Sequence, residues 1–301
     1  MSSILITGGT GFIAGKLANV LSRQGHSVSL ISRTTINSQY PSYIWHPDKS
    51  DFPLEALKDA EIIVHLAGAG ITDHYWTKSY KEIITASRID TSNLLFQTLK
   101  NNKHKVHSII SASAIGFYGE SGNSWIDEMR PAADDFLGNT CKLWEKSALQ
   151  FEKLGLRVAI LRIGIVLAKE NGALPSMMQP IKMLLGAPFG SGEQYISWIH
   201  IEDLCRQFQF AIETKSVHGI YNAVATSPVE NSVFIKTVAK ILRRPFWPIN
   251  IPAFILRIFL GEKAVVILSG QRVSNEKIRL TGFTYKFNDL EIALRDLLKK
   301  L

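Results

Sequence analysis

Thr7-Gly8-Gly9-Thr10-Gly11-Phe12-Ile13-Ala14-Gly15 follows the apolar run 3–7 and opens a helical pattern that Gly25 stops. Gly8 and Gly11 permit a tight turn and close approach of the backbone to a pyrophosphate. The helix that starts there offers free N–H groups and partial positive charge to an anion. Ala14 is the small residue where helix meets strand. A glycine pattern alone is weak evidence; its place between a strand and a helix makes it a dinucleotide fingerprint. Gly8, Thr10, Gly11, Phe12 and Ile13 are the expected cofactor contacts of this turn.

The next strand, 27–32, ends in Ser32-Arg33, and no acid occurs between Val28 and Pro47. An acid there would hold the ribose 2′-hydroxyl of NAD; a guanidinium instead suits a 2′-phosphate. Ser32 and Arg33 therefore point to NADP(H). The following strand, 61–66, runs into Leu66-Ala67-Gly68, whose small residues leave room for the adenosine side of the cofactor.

Farther along, helical patterns at about 75–101 and 137–154 alternate with strands at 106–112 and 157–163. Apolar strands alternating with helices imply a parallel sheet covered on both faces, an α/β doubly wound Rossmann architecture. Past residue 168 the alternation is irregular, with strands at 195–199 and 219–223 and a helix at about 202–213. From 231 it is mostly helical, near 231–242, 252–269 and 289–300. The reading divides the chain into a Rossmann NADP-binding domain, 1–167 with about 195–226, and a smaller substrate-binding domain, about 168–194 with 227–301.

The 301 residues are 46% hydrophobic and 20% charged, which excludes disordered and low-complexity architectures. Two cysteines exclude a disulfide framework and a cysteine-rich zinc cluster, and no metal site is expected. The late apolar stretch Phe246–Ser269 is interrupted by Pro248, Pro252, Arg257, Glu262 and Lys263, so no transmembrane segment is predicted. With no signal peptide ahead of Ile4, a cytoplasmic protein is expected. Residues 236–301 hold 13 basic and 5 acidic residues, and residues 1–235 hold 21 of each, so the whole +8 excess lies in the last fifth. No nucleic-acid motif accompanies it. The partner expected is a small, anionic molecule, with no nucleic acid and no membrane; the oligomeric state stays open.

The fingerprint, Tyr118-Gly119, Trp198-Ile199-His200-Ile201-Glu202-Asp203 and the tail motifs Gly261-Glu262, Ser269-Gly270-Gln271-Arg272 and Gly282-Phe283 resemble extended short-chain dehydrogenases/reductases. The resemblance is to the sugar-nucleotide-epimerase-like branch and covers essentially the whole chain. It implies a nucleotide-binding Rossmann domain, NADP(H), and oxidoreductase or isomerase chemistry of the epimerase type. Reductases of the wider superfamily use a Ser, a Tyr and a Lys four residues after the Tyr, the phenol being the proton donor or acceptor. Here Lys142 matches the lysine and Ser113 the serine, but Gly138 stands where the tyrosine belongs. Tyr118, in the loop after the strand carrying Ser113, is the candidate replacement acid or base. Arg88, on the long helix, is expected to face the pyrophosphate, and Lys142 the cofactor ribose. Arg272, Arg244 and His200 are the expected substrate contacts, with His200 also readable as a buried structural histidine. Two functions remain open: an NADP(H)-dependent oxidoreductase or epimerase, and a non-catalytic NADP(H)-binding protein whose bound state a partner reads.

Overall fold

β1 (Ser3–Thr7) is buried on both faces, and its Ile4, Leu5 and Ile6 place it at the centre of a parallel sheet in the computed structural model, which describes residues 1–298. The turn 8–11 leads into α1 (Phe12–Arg23), whose Ala14, Leu17, Ala18 and Leu21 form the one stripe that packs inward. β2 (Ser27–Ser32) returns beside β1, and β3 (Ser42–Ile44) adds an outer strand. β3 went unpredicted because it has three residues and no alternation. β4 (Ile62–His65), α2 (Lys78–Asn101) and β5 (Ser108–Ala114) follow. α2 begins three residues later than its apolar pattern, because the Thr77 hydroxyl accepts from the Tyr80 N–H and sets the cap there.

A two-residue strand, β6 (Trp125–Ile126), lies in the loop before α3 (Phe136–Leu149). α3 tightens into a 3₁₀ turn over Gln150–Leu154, so the predicted 137–154 helix changes type in its last turn. β7 (Arg157–Ile163) leads through β8 (Ile165–Leu167) and α4 (Ala173–Lys182) into the tail half. The predicted strand 195–199 is two strands, β9 (Tyr195–Ile196) and β10 (Trp198–His200). Ser197 between them turns its hydroxyl to the Gln271 carbonyl and the Val273 N–H. Then come α5 (Ile201–Glu213), β11 (Gly219–Ala223), β12 (Val229–Glu230) and α6 (Asn231–Leu242).

The predicted helix 252–269 is broken. α7 (Ala253–Leu260) stops at Gly261, whose φ of +59° with ψ of −142° is open only to glycine without strain, and a 3₁₀ turn leads to α8 (Val265–Leu268). β13 (Arg272–Val273), α9 (Glu276–Leu280) and α10 (Leu290–Leu298) complete the described chain; residues 299–300 of the predicted last helix lie outside it.

The main sheet runs β11-β7-β5-β4-β1-β2-β3 and every pair is parallel. The order reverses between β1 and β4, the switch point outside which such sheets bind ligands, at the carboxyl ends of the strands. In the tail half, β9 pairs antiparallel with β12 and α4 packs on α6. Buried Asp203, at the start of α5, accepts from the Lys286 and Phe287 N–H groups and fixes the final segment against the sheet domain.

Candidate cofactor site and adjoining cleft

The turn between β1 and α1 is built to approach another group closely. Gly8 has φ +71°, and a Cβ there would stand 2.9 Å from the Leu66 carbonyl oxygen and 3.1 Å from the Ala67 Cα. The Leu66-Ala67 backbone thus passes directly over Gly8. Gly11 caps α1 without a side-chain bond, so the first-turn N–H groups remain available to an anion. Thr7, to which no role was assigned, holds the two strand ends together. Its Oγ1 accepts from the Leu66 and Ala67 N–H groups at 3.1 and 3.2 Å and lies 2.8 Å from His65 Nδ1. Thr10 is exposed, whereas Phe12 and Ile13 are half-buried against the core.

His65 is fully buried, and burial pushes its pKa down to about 4, so the ring is neutral. Unfolded, it titrates near 6.5. Between those values the unfolded chain binds a proton that the native chain does not. The stabilising contribution is therefore full above pH 6.5 and is lost as the pH falls towards 4, by about 3 kcal/mol in all. Urea midpoints should decline over that window, and His65→Gln should flatten the decline; an unchanged slope contradicts this assignment.

At the end of β2, the Ser32 hydroxyl is buried and shapes the turn, donating to the Thr34 carbonyl and accepting from the Thr34 N–H. Arg33 beside it is exposed. Across the turn, Arg88 lies over Gly68, 3.1 Å from where a Cβ would stand, and stacks on the Trp144 ring at 4.9 Å. It donates to the Ile84 carbonyl and has no carboxylate partner among the described residues. Burial lowers its pKa.

α3 carries the main correction. Its inward face holds Leu137 over Gly116, Cys141 against the Ala114 backbone and Arg88, and buried Trp144 and Glu145. Lys142, expected at the cofactor ribose, is exposed on the outer face with Leu143 and Lys146. Lys-x-x-Glu matched the superfamily segment one position out of phase. On a helix one residue is a 100° rotation, and the inward pair four apart is Leu137 and Cys141. Burial pushes the Cys141 thiol up to about 12, so it is no nucleophile. Gly138 also has no room for a side chain, because a Cβ there would overlap the Ala133 carbonyl oxygen.

Ser113 and Tyr118 belong to one buried network. Ser113 Oγ donates to Glu145 Oε1 at 2.6 Å, and Glu145 binds Arg162 through both oxygens at 2.8 Å. Arg162 donates to Tyr118 Oη at 2.9 Å, and Tyr118 donates to Asn222 Oδ1 at 2.6 Å. Tyr118 is 1% exposed, and burial pushes its pKa up to about 12. Its phenol is engaged on both sides and enclosed, so the geometry does not support the acid–base role expected of it.

The expected substrate contacts scatter. His200 caps α5, its Nδ1 accepting from the Glu202 N–H, while its ring stacks on Phe287 at 3.8 Å. It is a buried structural histidine, not a substrate contact. Arg244 is exposed just after α6. Arg272 is sandwiched between Trp125 and Tyr195 at 4.5 and 4.8 Å and donates to the Asn123 carbonyl. A different arginine lines a cavity. Arg257 of α7 shares a space of about 450 Å³ with Glu120, Glu262, Val265, Leu268 and Ser269. Glu120, two residues past Tyr118, accepts from the Gly270 and Gly122 N–H groups, and Glu262 pairs with Lys81 of α2. Arg257 was passed over because the sequence reading counted it only as an interruption of the apolar stretch. Among the described residues no group of His, Cys, Asp and Glu could hold a metal ion, and no helix is long and apolar enough to cross a membrane.

These features define a nucleotide-binding protein of the Rossmann class. The NAD-dependent epimerase/dehydratase family model matches residues 4–223, and a C-terminal domain of unknown function (DUF1731) matches residues 251–297. The chain belongs to the NAD-dependent epimerase/dehydratase family. It is 36% identical to the epimerase family protein YfhF of Bacillus subtilis over 98% of both chains, and 37% identical to SSP1921 of Staphylococcus saprophyticus over 99% of both. The crystal structure of human epimerase family protein SDR39U1 (isoform 2) with NADPH is also similar, at TM-score 0.88 and 30% identity over 99% of this chain and 100% of that one.

Proposed function

We propose that the chain binds NADP(H) in preference to NAD(H) and presents it to a small, anionic substrate in the cleft beside the carboxyl ends of the strands. Exposed Arg33 at the end of β2, with no acid before Asp48, carries the preference. The guanidinium would hold the 2′-phosphate, and the uncapped start of α1 the pyrophosphate. Arg88, half-buried over Gly68 and without a carboxylate partner among the described residues, would face the pyrophosphate. When bound, the cofactor supplies hydride transfer at its nicotinamide ring. The chain's own residues shape and exclude. Thr7 fixes the two strand ends that frame the cofactor, and the Glu145–Arg162 pair holds Ser113 at the end of β5. With its proton committed to Glu145, Ser113 Oγ would accept a hydrogen bond from a substrate hydroxyl.

A second reading is favoured by α3. The inward positions four residues apart hold Leu137 and Cys141, which supply neither the phenol nor the ammonium of the superfamily pair. On that reading the chain binds NADP(H) without turnover and a partner senses the bound state. Mass spectrometry of the nucleotide released on denaturing the purified chain tests the shared claim. NADP(H) is expected, and NAD(H) alone would overturn it. Two incubations then separate the two readings, deuterium-labelled NADPH with a panel of carbonyl compounds and NADP⁺ with nucleotide sugars: label in a reduced product or appearance of an epimer marks an enzyme, and neither is expected of a non-catalytic binder.

A further inference from the structure

α7, of sequence Ala-Phe-Ile-Leu-Arg-Ile-Phe-Leu, is apolar at seven of its eight positions, yet none of its residues is buried. Leu256 packs on the core, whereas Phe254 and Ile258, four apart on one face, are 63% and 73% exposed. The patch extends beyond the helix. Trp247 donates from its ring to the Leu184 carbonyl and from its backbone to Gly186, and Ile251 donates to Pro188. The segments 183–189 and 246–251 are thereby laced side by side next to α7. They expose Leu184, Leu185, Trp247 and Ile249, the last at 74%. Single exposed apolar side chains need no explanation, but this many on three adjoining segments mark an interaction surface.

Charge decides what covers it. Residues 231–261 contain five basic residues and no acid, and residues 173–192 contain one lysine and no acid. Lys240 is committed to Glu291 of α10, but Lys182, Arg243, Arg244 and Arg257 are exposed around the apolar segments. The acids next in sequence are Glu170, Glu193, Glu230 and Glu262; Glu262 is bound to Lys81, and Glu120 lines the cavity that Arg257 borders. A second copy presenting the same face would bring these cations against each other. An anionic lipid surface matches both features, since interfacial segments combine aromatic and aliphatic insertion with flanking Arg and Lys.

We propose that this face seats the protein on anionic membranes, α7 lying in the plane of the lipid headgroups. No part of the chain crosses the bilayer on this account. The cofactor turn belongs to other segments, so nucleotide binding and membrane docking are separable.

The test is co-sedimentation of the full chain with large vesicles. Vesicles of equal parts phosphatidylglycerol and phosphatidylcholine should carry the protein down, and pure phosphatidylcholine should carry at least tenfold less. Raising salt from about 0.05 M to about 0.5 M should weaken binding several-fold, because screening shortens the reach of the cations. The Phe254→Ser/Ile258→Ser variant should lose sedimentation while keeping its melting temperature and its NADPH titration. Lys182→Gln/Arg243→Asn should reduce binding at least fivefold. Absence of binding to anionic vesicles overturns the proposal, as does binding that the Phe254/Ile258 variant retains. Dimerisation abolished by that variant, without vesicle binding, would instead identify a second copy as the occupant.

Discussion

Replacing Glu145 by alanine is expected to cost about 3–5 kcal/mol of stability, because it leaves the Arg162 guanidinium buried without its counter-ion. Both side chains are almost wholly enclosed, and their two 2.8 Å contacts are the only carboxylate bonds Arg162 makes among the described residues. The loss spreads along the network. Arg162 also orients Tyr118, which holds Asn222, whose side chain donates to the Ser274 carbonyl and whose N–H reaches Glu128. One carboxylate therefore ties β5, β7, β11 and the tail together. Glu145→Gln keeps the shape and some hydrogen bonds, so it should lose less. Urea unfolding of the two variants measures this directly, and equal, small losses would mean that the pair is not what holds the network.

The second large effect concerns the turn. Gly8→Ala should weaken NADP(H) binding about a hundredfold, about 2.7 kcal/mol. A Cβ at φ +71° is strained in itself and meets the Leu66 carbonyl at 2.9 Å, backbone that cannot move aside without dragging β4 with it. Relief comes only by opening the turn, which misaligns the N–H groups of α1. Gly15→Ala is the control, since a Cβ at Gly15 meets nothing within 4 Å. It should bind cofactor as the parent does. Loss of affinity in both variants would show that the turn geometry is not the cause.

The nucleotide half was legible because its signals are local. A strand, a glycine turn and a helix with one apolar stripe lie within about twenty residues, and each constrains the next. The site beyond it depends on which face of α3 looks inward, and that is decided by packing. Lys-x-x-Glu reads equally well with Lys142 or Cys141 in the inward position; only the contacts of Cys141 with Ala114 and Arg88 separate them. Tyr118 misled for a related reason. Its partners Arg162 and Asn222 lie 44 and 104 residues away, and nothing near it in sequence announces them. His200 and Arg272 carry chemistry in type but are spent on Phe287 stacking and on the Trp125–Tyr195 sandwich. α7 breaks at Gly261, and the apolar run gives that break no warning beyond the glycine itself.

The central claim is that Arg33 makes this an NADP(H) site. Titration of the purified chain with NADPH and with NADH, followed by energy transfer from tryptophan to the reduced nicotinamide, measures it most directly. NADPH should bind at least tenfold tighter, and Arg33→Ala should erase most of that difference, since a charge-assisted contact to phosphate contributes roughly 1.5–3 kcal/mol. Superimposable curves for the two nucleotides in the parent chain, or a preference that survives Arg33→Ala, would contradict it.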